Sequence, residues 1–376
     1  MAVRMEKRLG AKLFGKSAEE RDARAGMKKR YRVGILGATG AVGQKFVQLL
    51  AEHPWFEISA VAASERSAGK PYAEAVRWKL PAPIPARLRE LEVRNLTPDL
   101  DCDFVFSALD SSVAGSAEEA FARAGYPVIS NSKNHRMDDD VPLLVPEANP
   151  EHCELISIQK QRRGFDRGFI VTNPNCAVVG LVLVLKPLQD AFGVEAVSVT
   201  TLQAISGAGY PGVPAADIVE NVIPYIEDEE EKIETEPRKI LGTLEGSAVR
   251  PAGVTISAQC HRVPVVDGHL EAVSVRLRTK ASPAEVSEAL RSFSAEPQRL
   301  GLPSAPARPI LVREERDRPQ PRFDRNTAEG MAVVVGRIRS CPVLDIRLTL
   351  LSHNLVRGAA GAAVLNAELL AQKRFL

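Results

Sequence analysis

"YRVGILGATGAVGQKFVQLLAEH", residues 31–53, opens with an apolar strand-like run, turns through glycines, and then sets Val42, Phe46, Leu49 and Leu50 at helical spacing. Strand, tight turn and helix in that order begin a βαβ unit. Glycines at such a turn let the backbone approach a pyrophosphate at the helix N-terminus. The segment predicts a dinucleotide phosphate over Gly37, Thr39, Gly40, Ala41, Val42 and Gly43, against the plainer reading of a structural turn.

Working outward, "FEISAVAAS" (56–64), "LEVRNL" (91–96), "CDFVFSAL" (102–109), "YPVIS" (126–130) and "GFIVTN" (168–173) read as short strands, with a helix over "AGSAEEAFARAG" (114–125). Alternating strands and helices imply a parallel sheet covered on both faces. After about residue 173 the texture changes. A helix over roughly 176–191 precedes long β-rich stretches at 194–206, 253–266, 269–279 and 331–352, which predict a mixed sheet with helices on one side. A Pro/Arg-rich loop at 303–326 interrupts them, and 354–372 reads as a helix returning to the first domain. The expected division is an N-terminal extension (1–30), a dinucleotide domain (31–173 with 354–376) and a second domain (174–353).

At 376 residues the chain exceeds what one core usually organises. A formal net charge of +2 advertises no polyanionic partner, so nucleic acid is not expected. Five cysteines without a CxxC pair favour free thiols in a reducing compartment. The longest apolar stretch, "AVVGLVLVL" (177–185), falls well short of the ~20 residues a membrane span needs. No membrane partner and a cytoplasmic location are the expectation. Residues 1–30 carry ten Lys/Arg against four Asp/Glu and read as a disordered extension, or as residues ahead of a true start at Met27, rather than as a transit peptide.

The end of the second strand distinguishes cofactors. There "ASERSAGK" (63–70) supplies Ser64, Arg66 and Ser67, which suit a 2′-phosphate, while Glu65 alone would favour a free ribose. NADP is the expected cofactor.

"VTNPNCAVVG" (171–180) raises a second question, because a cysteine among apolar residues is usually core. Here an Asn-Pro turn ends a strand and a helix follows, placing Cys176 in the first helical turn. Backbone N–H groups and the helix dipole there are expected to lower its pKa and to bind an oxyanion. Among six histidines His269, at a turn into a strand, is the best-placed acid/base partner, and Arg262 is expected across the same turn as a fork for a carboxylate.

The chain resembles the aspartate-β-semialdehyde dehydrogenases, specifically the archaeal/fungal-type branch. The likeness runs from about Arg32 to the C-terminal helix through "GILGATGAVGQ", "ASERSAGK", "NSKNHRM", "VTNPNC", "QAISGAGYPGVP", "EEEKIETEP", "RVPVVDGH" and "HNLVRGAAGAAV". It implies an α/β chain: a Rossmann-type domain plus a second α+β domain like the C-terminal domain of glyceraldehyde-3-phosphate dehydrogenase. It implies that Cys176 attacks β-aspartyl phosphate to give a thioester, which NADPH reduces to the semialdehyde while His269 shuttles the proton. Arg262 and Glu229 then hold the α-carboxylate and α-amine, Arg136 and Lys232 face the phosphate, and Asn175 and Gln203 steady thiolate and acyl group. Ser107, Ser206, Gly207, Gly209 and Asn354 belong to the cofactor site by the same likeness. No metal is implied.

Two departures stand out. Asp110 replaces a common proline, predicting a changed loop, and His261 is expected to add a titratable neighbour to the carboxylate clamp. A malonyl-CoA reductase shares the same chemistry and is the alternative; N-acetyl-γ-glutamyl-phosphate reductase is a more distant one. A nucleotide-sensing protein without catalysis would lack the nucleophile or the base, and both are present. The resemblance further implies a homodimer or homotetramer joined through the second domain's sheet.

Overall fold

A computed structural model describes residues 30–376, so the expectations for the N-terminal extension lie outside the described residues. Six short strands, β1 (Tyr31–Leu36), β2 (Phe56–Ala62), β3 (Val93–Arg94), β4 (Phe104–Ser107), β5 (Pro127–Ser130) and β6 (Phe169–Thr172), form a sheet in the order β3-β2-β1-β4-β5-β6. Every pairing in it is parallel. β4, β5 and β6 are buried throughout and β1 over Val33–Leu36, as strands covered on both faces must be. The helices α1 (Ala41–Leu50), α2 (Ser111–Arg123) and α3 (Leu155–Arg163) provide crossovers. This is the doubly wound order that places a ligand at the C-terminal ends of β1 and β4.

The next helix, α4 (Cys176–Phe192), is apolar nearly all round from Ala177 to Leu185 and is buried there, while Asp190 and Ala191 near its end are exposed. It packs on a second six-stranded sheet made of β7 (Val194–Ala204), β10 (Thr255–Val263), β11 (His269–Leu277), β12 (Ile310–Val312), β13 (Val333–Ser340) and β14 (Ile346–Ser352). A small hairpin, β8 (Thr243–Glu245) and β9 (Ala248–Arg250), lies apart. The order β10-β7-β11-β14-β13-β12 mixes parallel and antiparallel pairs. Helices α5 (Glu229–Ile240) and α6 (Pro283–Ser292) also cover it.

Three elements depart from the sequence reading. β12 lies inside the stretch 303–326 expected as loop and pairs in parallel with β13 through Ile310, Leu311 and Val312. Its three residues are too few to show a period beside so many prolines. Helix α6 was not anticipated, although Ser282 and Glu285 form a capping box just before its apolar residues. At the C-terminus the helix α7 (Gly361–Gln372) is preceded by a π-type turn, Val356–Ala360. Val364, Leu365, Leu369 and Leu370 of α7 join Val33, Phe46, Phe56 and Phe106 in one core cluster, so the chain end returns to the first sheet.

One charge is fully enclosed in that return. Arg357 in the π-type turn donates from Nη2 to Glu147 Oε2 at 2.5 Å, both side chains being fully buried. Removing one member of such a pair leaves an uncompensated charge in a dry site. Arg357→Met is expected to destabilise the fold by about 3–5 kcal/mol. The double variant with Glu147→Leu should recover much of that loss, and urea unfolding of the three variants checks it.

Candidate active site

The Asn173-Pro174 turn ends β6, and Asn175 caps α4 by accepting the Ala177 N–H at 2.9 Å on Oδ1. Cys176 is therefore the first helical residue. Its backbone lies against Gly358 of the π-type turn, where a Cβ would come within 2.9 Å of Cys176 Cβ, so only glycine fits. The sulfur is 3.1 Å from His269 Nε2. His269, the first residue of β11, is buried, and its Nδ1 accepts the Ala204 N–H at 3.1 Å. With Nδ1 an acceptor, the neutral ring carries its proton on Nε2, facing the sulfur.

The electrostatics correct the expectation of a resting thiolate. Cys176 is half-buried, and desolvation, aided by Glu229, pushes its thiol up to about 12. Arg262, Arg136 and the Ala177 N–H act in the opposite direction without prevailing. Burial first, then Arg262 and His353, lower His269 to about 3. Near neutral pH the pair is a thiol beside a neutral imidazole, because loss of water outweighs one helix N-terminus. Part of that terminus is already committed, since Asn175 takes the Ala177 N–H.

Strand order also corrects the placement of Arg262. β10 and β11 are not a hairpin: β7 runs between them, with Gln203 opposite Arg262 and Leu202 opposite Leu270. Arg262 and His269 instead converge from either side of β7 on the turn after it. A Cβ at Gly207 would meet Arg262 Nη1 at 2.9 Å and His269 Cε1 at 3.2 Å. Arg262 also donates from Nη1 to Ala204 O at 2.8 Å. Gln203 is buried between them and donates to Thr201 Oγ1 at 3.3 Å; it has no hydrogen bond to Cys176. His261 is not part of the clamp, because strand alternation turns it to the opposite face from buried Arg262.

Helix α5 supplies the acidic side. Buried Glu229 accepts Asn175 Nδ2 at 2.8 Å, and Lys232, one turn on, lies 3.4 Å from its other oxygen. Arg136 is buried against α5: Nη1 donates to Glu236 Oε1 at 2.9 Å and Nη2 to Asn131 O at 2.8 Å. Glu236 and Lys239 were not anticipated, although they extend the spacing of Glu229 and Lys232 along one helix face. Glu271, two residues after His269 on the same strand face, was missed as well. Both its oxygens are buried without a partner among the described residues, and burial, then Glu229, raises its carboxyl well above the usual range.

The cofactor end fits a dinucleotide pyrophosphate. Gly37 has φ +77°, and a Cβ there would lie 2.6 Å from Ala108 O; one at Gly43 would lie 2.2 Å from Gly37 O. Gly40 caps α1 without a side-chain bond, so Ala41, Val42 and Gly43 begin the helix with backbone donors turned to the loop. Thr39 O holds Gln44 Nε2 at 3.0 Å. Ser64 and Arg66 are exposed and Ser67 half-buried beyond β2. At the end of β4 the Ser107 hydroxyl is buried and donates to Glu118 Oε1 at 2.5 Å. Asn354 donates to Ser206 Oγ and accepts the Gly268 N–H, both at 2.8 Å, fixing the Ser206–Gly209 turn beside His269. The π-type turn touches both α1 and α4, joining this end to the nucleophile. Asp110, the expected loop change, caps α2 by accepting the Ser112 N–H at 2.9 Å.

A doubly wound sheet with a glycine turn, beside a mixed-sheet domain presenting Cys and His, defines the class as a dinucleotide-dependent oxidoreductase. Residues 32–156 match the family described as semialdehyde dehydrogenase, NAD binding domain, and residues 185–357 its dimerisation domain. An aspartate-semialdehyde dehydrogenase of Archaeoglobus fulgidus is 51% identical over 92% of this chain and 100% of its own. One from Cryptococcus neoformans is 50% identical over 91% and 97%. The crystal structure of the Candida albicans enzyme with NADP superposes with a TM-score of 0.86 at 44% identity, covering 93% of this chain and 100% of that one. The chain belongs to the aspartate-semialdehyde dehydrogenase family, phosphorylating oxidoreductases that act on an aldehyde group, and carries that activity.

Because the resting thiol is protonated, alkylation of Cys176 by iodoacetamide in the free enzyme should accelerate about tenfold per pH unit between about pH 6 and pH 9. A plateau beginning near pH 6 would show a preformed thiolate–imidazolium pair instead.

Proposed function

We propose that the site performs NADPH-dependent reductive dephosphorylation of L-4-aspartyl phosphate to L-aspartate 4-semialdehyde, with Cys176 as nucleophile. The 3.1 Å contact between Cys176 Sγ and His269 Nε2 carries this reading. Arg262 takes the substrate α-carboxylate as a bidentate fork and Glu229 its α-amine. Arg136 and Lys232 lie toward the phosphate, while Asn175 and Gln203 hold the helix start and the acyl side.

The sulfur attacks the acyl carbon, a C–S bond forms and the C–O bond to phosphate breaks. The thiol proton leaves with the phosphate as HPO₄²⁻, so no separate base has to keep it. NADPH, when bound over Gly37, Thr39, Gly40, Ala41, Val42 and Gly43 with Ser64, Arg66 and Ser67 at its 2′-phosphate, supplies the hydride for the thioester. His269 lends its Nε2 proton to the oxygen that gains charge and takes it back as the carbonyl re-forms. The C–S bond breaks with its electron pair on sulfur, and Cys176 takes up one proton from solvent to regain its thiol, the proton that the overall reduction consumes. Gly207, Gly209, Ser206 and Asn354 shape the wall beside that imidazole.

The relatives described above favour aspartyl phosphate over malonyl-CoA. We read residues 31–173 with 354–376 as the cofactor domain and 174–353 as the catalytic and association domain. The match to a dimerisation domain supports a homodimer, which could pair further into a homotetramer. No helix among the described residues is long and apolar enough to cross a membrane, which is compatible with a cytoplasmic enzyme.

The reaction is followed by NADPH absorbance with aspartate semialdehyde, phosphate and NADP. Cys176→Ala is expected to lower kcat by about 10⁴-fold or more. Turnover by that variant near the parent's rate, or activity with malonyl-CoA alone, overturns the reading. Arg66→Ala should weaken the preference for NADP over NAD by about 10- to 150-fold, the range of a hydrogen bond to a charged group.

A further inference from the structure

Helix α5 carries four charged side chains at 229, 232, 236 and 239, spacings of three, four and three residues that put them on one face. The first two are placed by the reading above, Glu229 at the substrate amine and Lys232 toward the phosphate. Glu236 is only 2% exposed, and its two oxygens hold two different elements. Oε1 accepts from Arg136 Nη1 at 2.9 Å, and Oε2 accepts the backbone N–H of Asn175 at 2.6 Å. Asn175 is the cap of the nucleophile helix, one residue before Cys176. One turn further, Lys239 Nζ donates to the carbonyls of Arg136, Asp138 and Val141 at 2.7–2.9 Å, holding the segment that presents Arg136.

We propose that Glu236 is a positioning residue that fixes the phosphate-facing guanidinium of Arg136 and the start of the Cys176 helix relative to each other. The inference rests on the reading above in which Arg136 lies toward the phosphate. A carboxylate bonded on both oxygens cannot follow one partner without disturbing the other. The distance between the attacked carbon and its leaving phosphate is thereby matched to the distance between Cys176 and Arg136. Glutamine keeps the shape of Glu236, but it has one acceptor oxygen and would set an NH₂ against one of the two donors.

The test is steady-state kinetics of the full-length enzyme in the phosphate-consuming direction, with Glu236→Gln, Arg136→Ala and the double variant, each checked by thermal unfolding. Glu236→Gln should raise KM for phosphate about 10- to 100-fold, the range for a misplaced binding group, and leave KM for the semialdehyde within about twofold. In the Arg136→Ala background the Glu236 substitution should raise the phosphate KM no further. If Arg136→Ala raises the phosphate KM and Glu236→Gln does not, the proposal fails while the reading stands. If Arg136→Ala itself leaves the phosphate KM unchanged, the reading of Arg136 fails and takes the proposal with it. Equal loss in every constant, together with a lowered Tm, marks a structural ion pair and overturns the proposal. Glu236→Asp, which keeps the charge but not the reach to both donors, is read by the same criteria should the glutamine variant not fold.

Discussion

The catalytic geometry depends on where one helix begins. Asn175 stops the chain from entering α4 a residue earlier, and its side chain closes the first turn on the Ala177 N–H. Cys176 is then committed to a direction set by the helix axis, and that axis is fixed by the burial of Ala177–Leu185, Pro187 and Leu188. The sheet beneath supplies the imidazole, held by the backbone N–H of Ala204. Nucleophile and partner thus belong to elements whose relative position is set by core packing rather than by a flexible loop.

Enclosure of this kind has an electrostatic consequence. Removing water makes the charged forms of Cys176 and His269 unfavourable, so the resting site holds two neutral groups. The surrounding charges influence the sulfur in opposite senses, Glu229 raising its pKa and Arg262 and Arg136 lowering it. In the proposed reading, an α-carboxylate on Arg262 and an amine on Glu229 would change that balance. In the proposed reaction, chemistry begins from a protonated thiol whose proton leaves with the phosphate.

The two sheets meet at a seam closed by the C-terminal segment. Gly358 lies against Cys176, Arg357 is sealed with Glu147, and α7 returns to the aromatic core around Phe46 and Phe106. Phe46 and Phe106 stack at 4.7 Å between ring centroids, beneath the helix whose N-terminus forms the glycine turn. A single continuous set of packed residues therefore runs from the cofactor loop to the nucleophile.

Much of this was legible before any coordinates. Local order determined the strand, turn and helix at 31–53 and the N-capped helix bearing Cys176, because caps, glycine turns and hydrophobic periods act over a few residues. Arg136, Glu229, Lys232, Gln203 and Asn354 were offered only by the likeness to the family. Other features depended on chain segments far apart in sequence. Strand order placed β7 between Arg262 and His269, where proximity along the chain suggested a shared turn. Alternation turned His261 away, and desolvation reversed the expected state of the thiol. The roles of Glu236 and Lys239 were equally hidden, since a run of acids and bases on a helix reads as solvated until its face is seen to be covered. Sequence determines which groups are available and how the local backbone runs; water exclusion and sheet order are properties of the assembled chain, and only tertiary structure decides them.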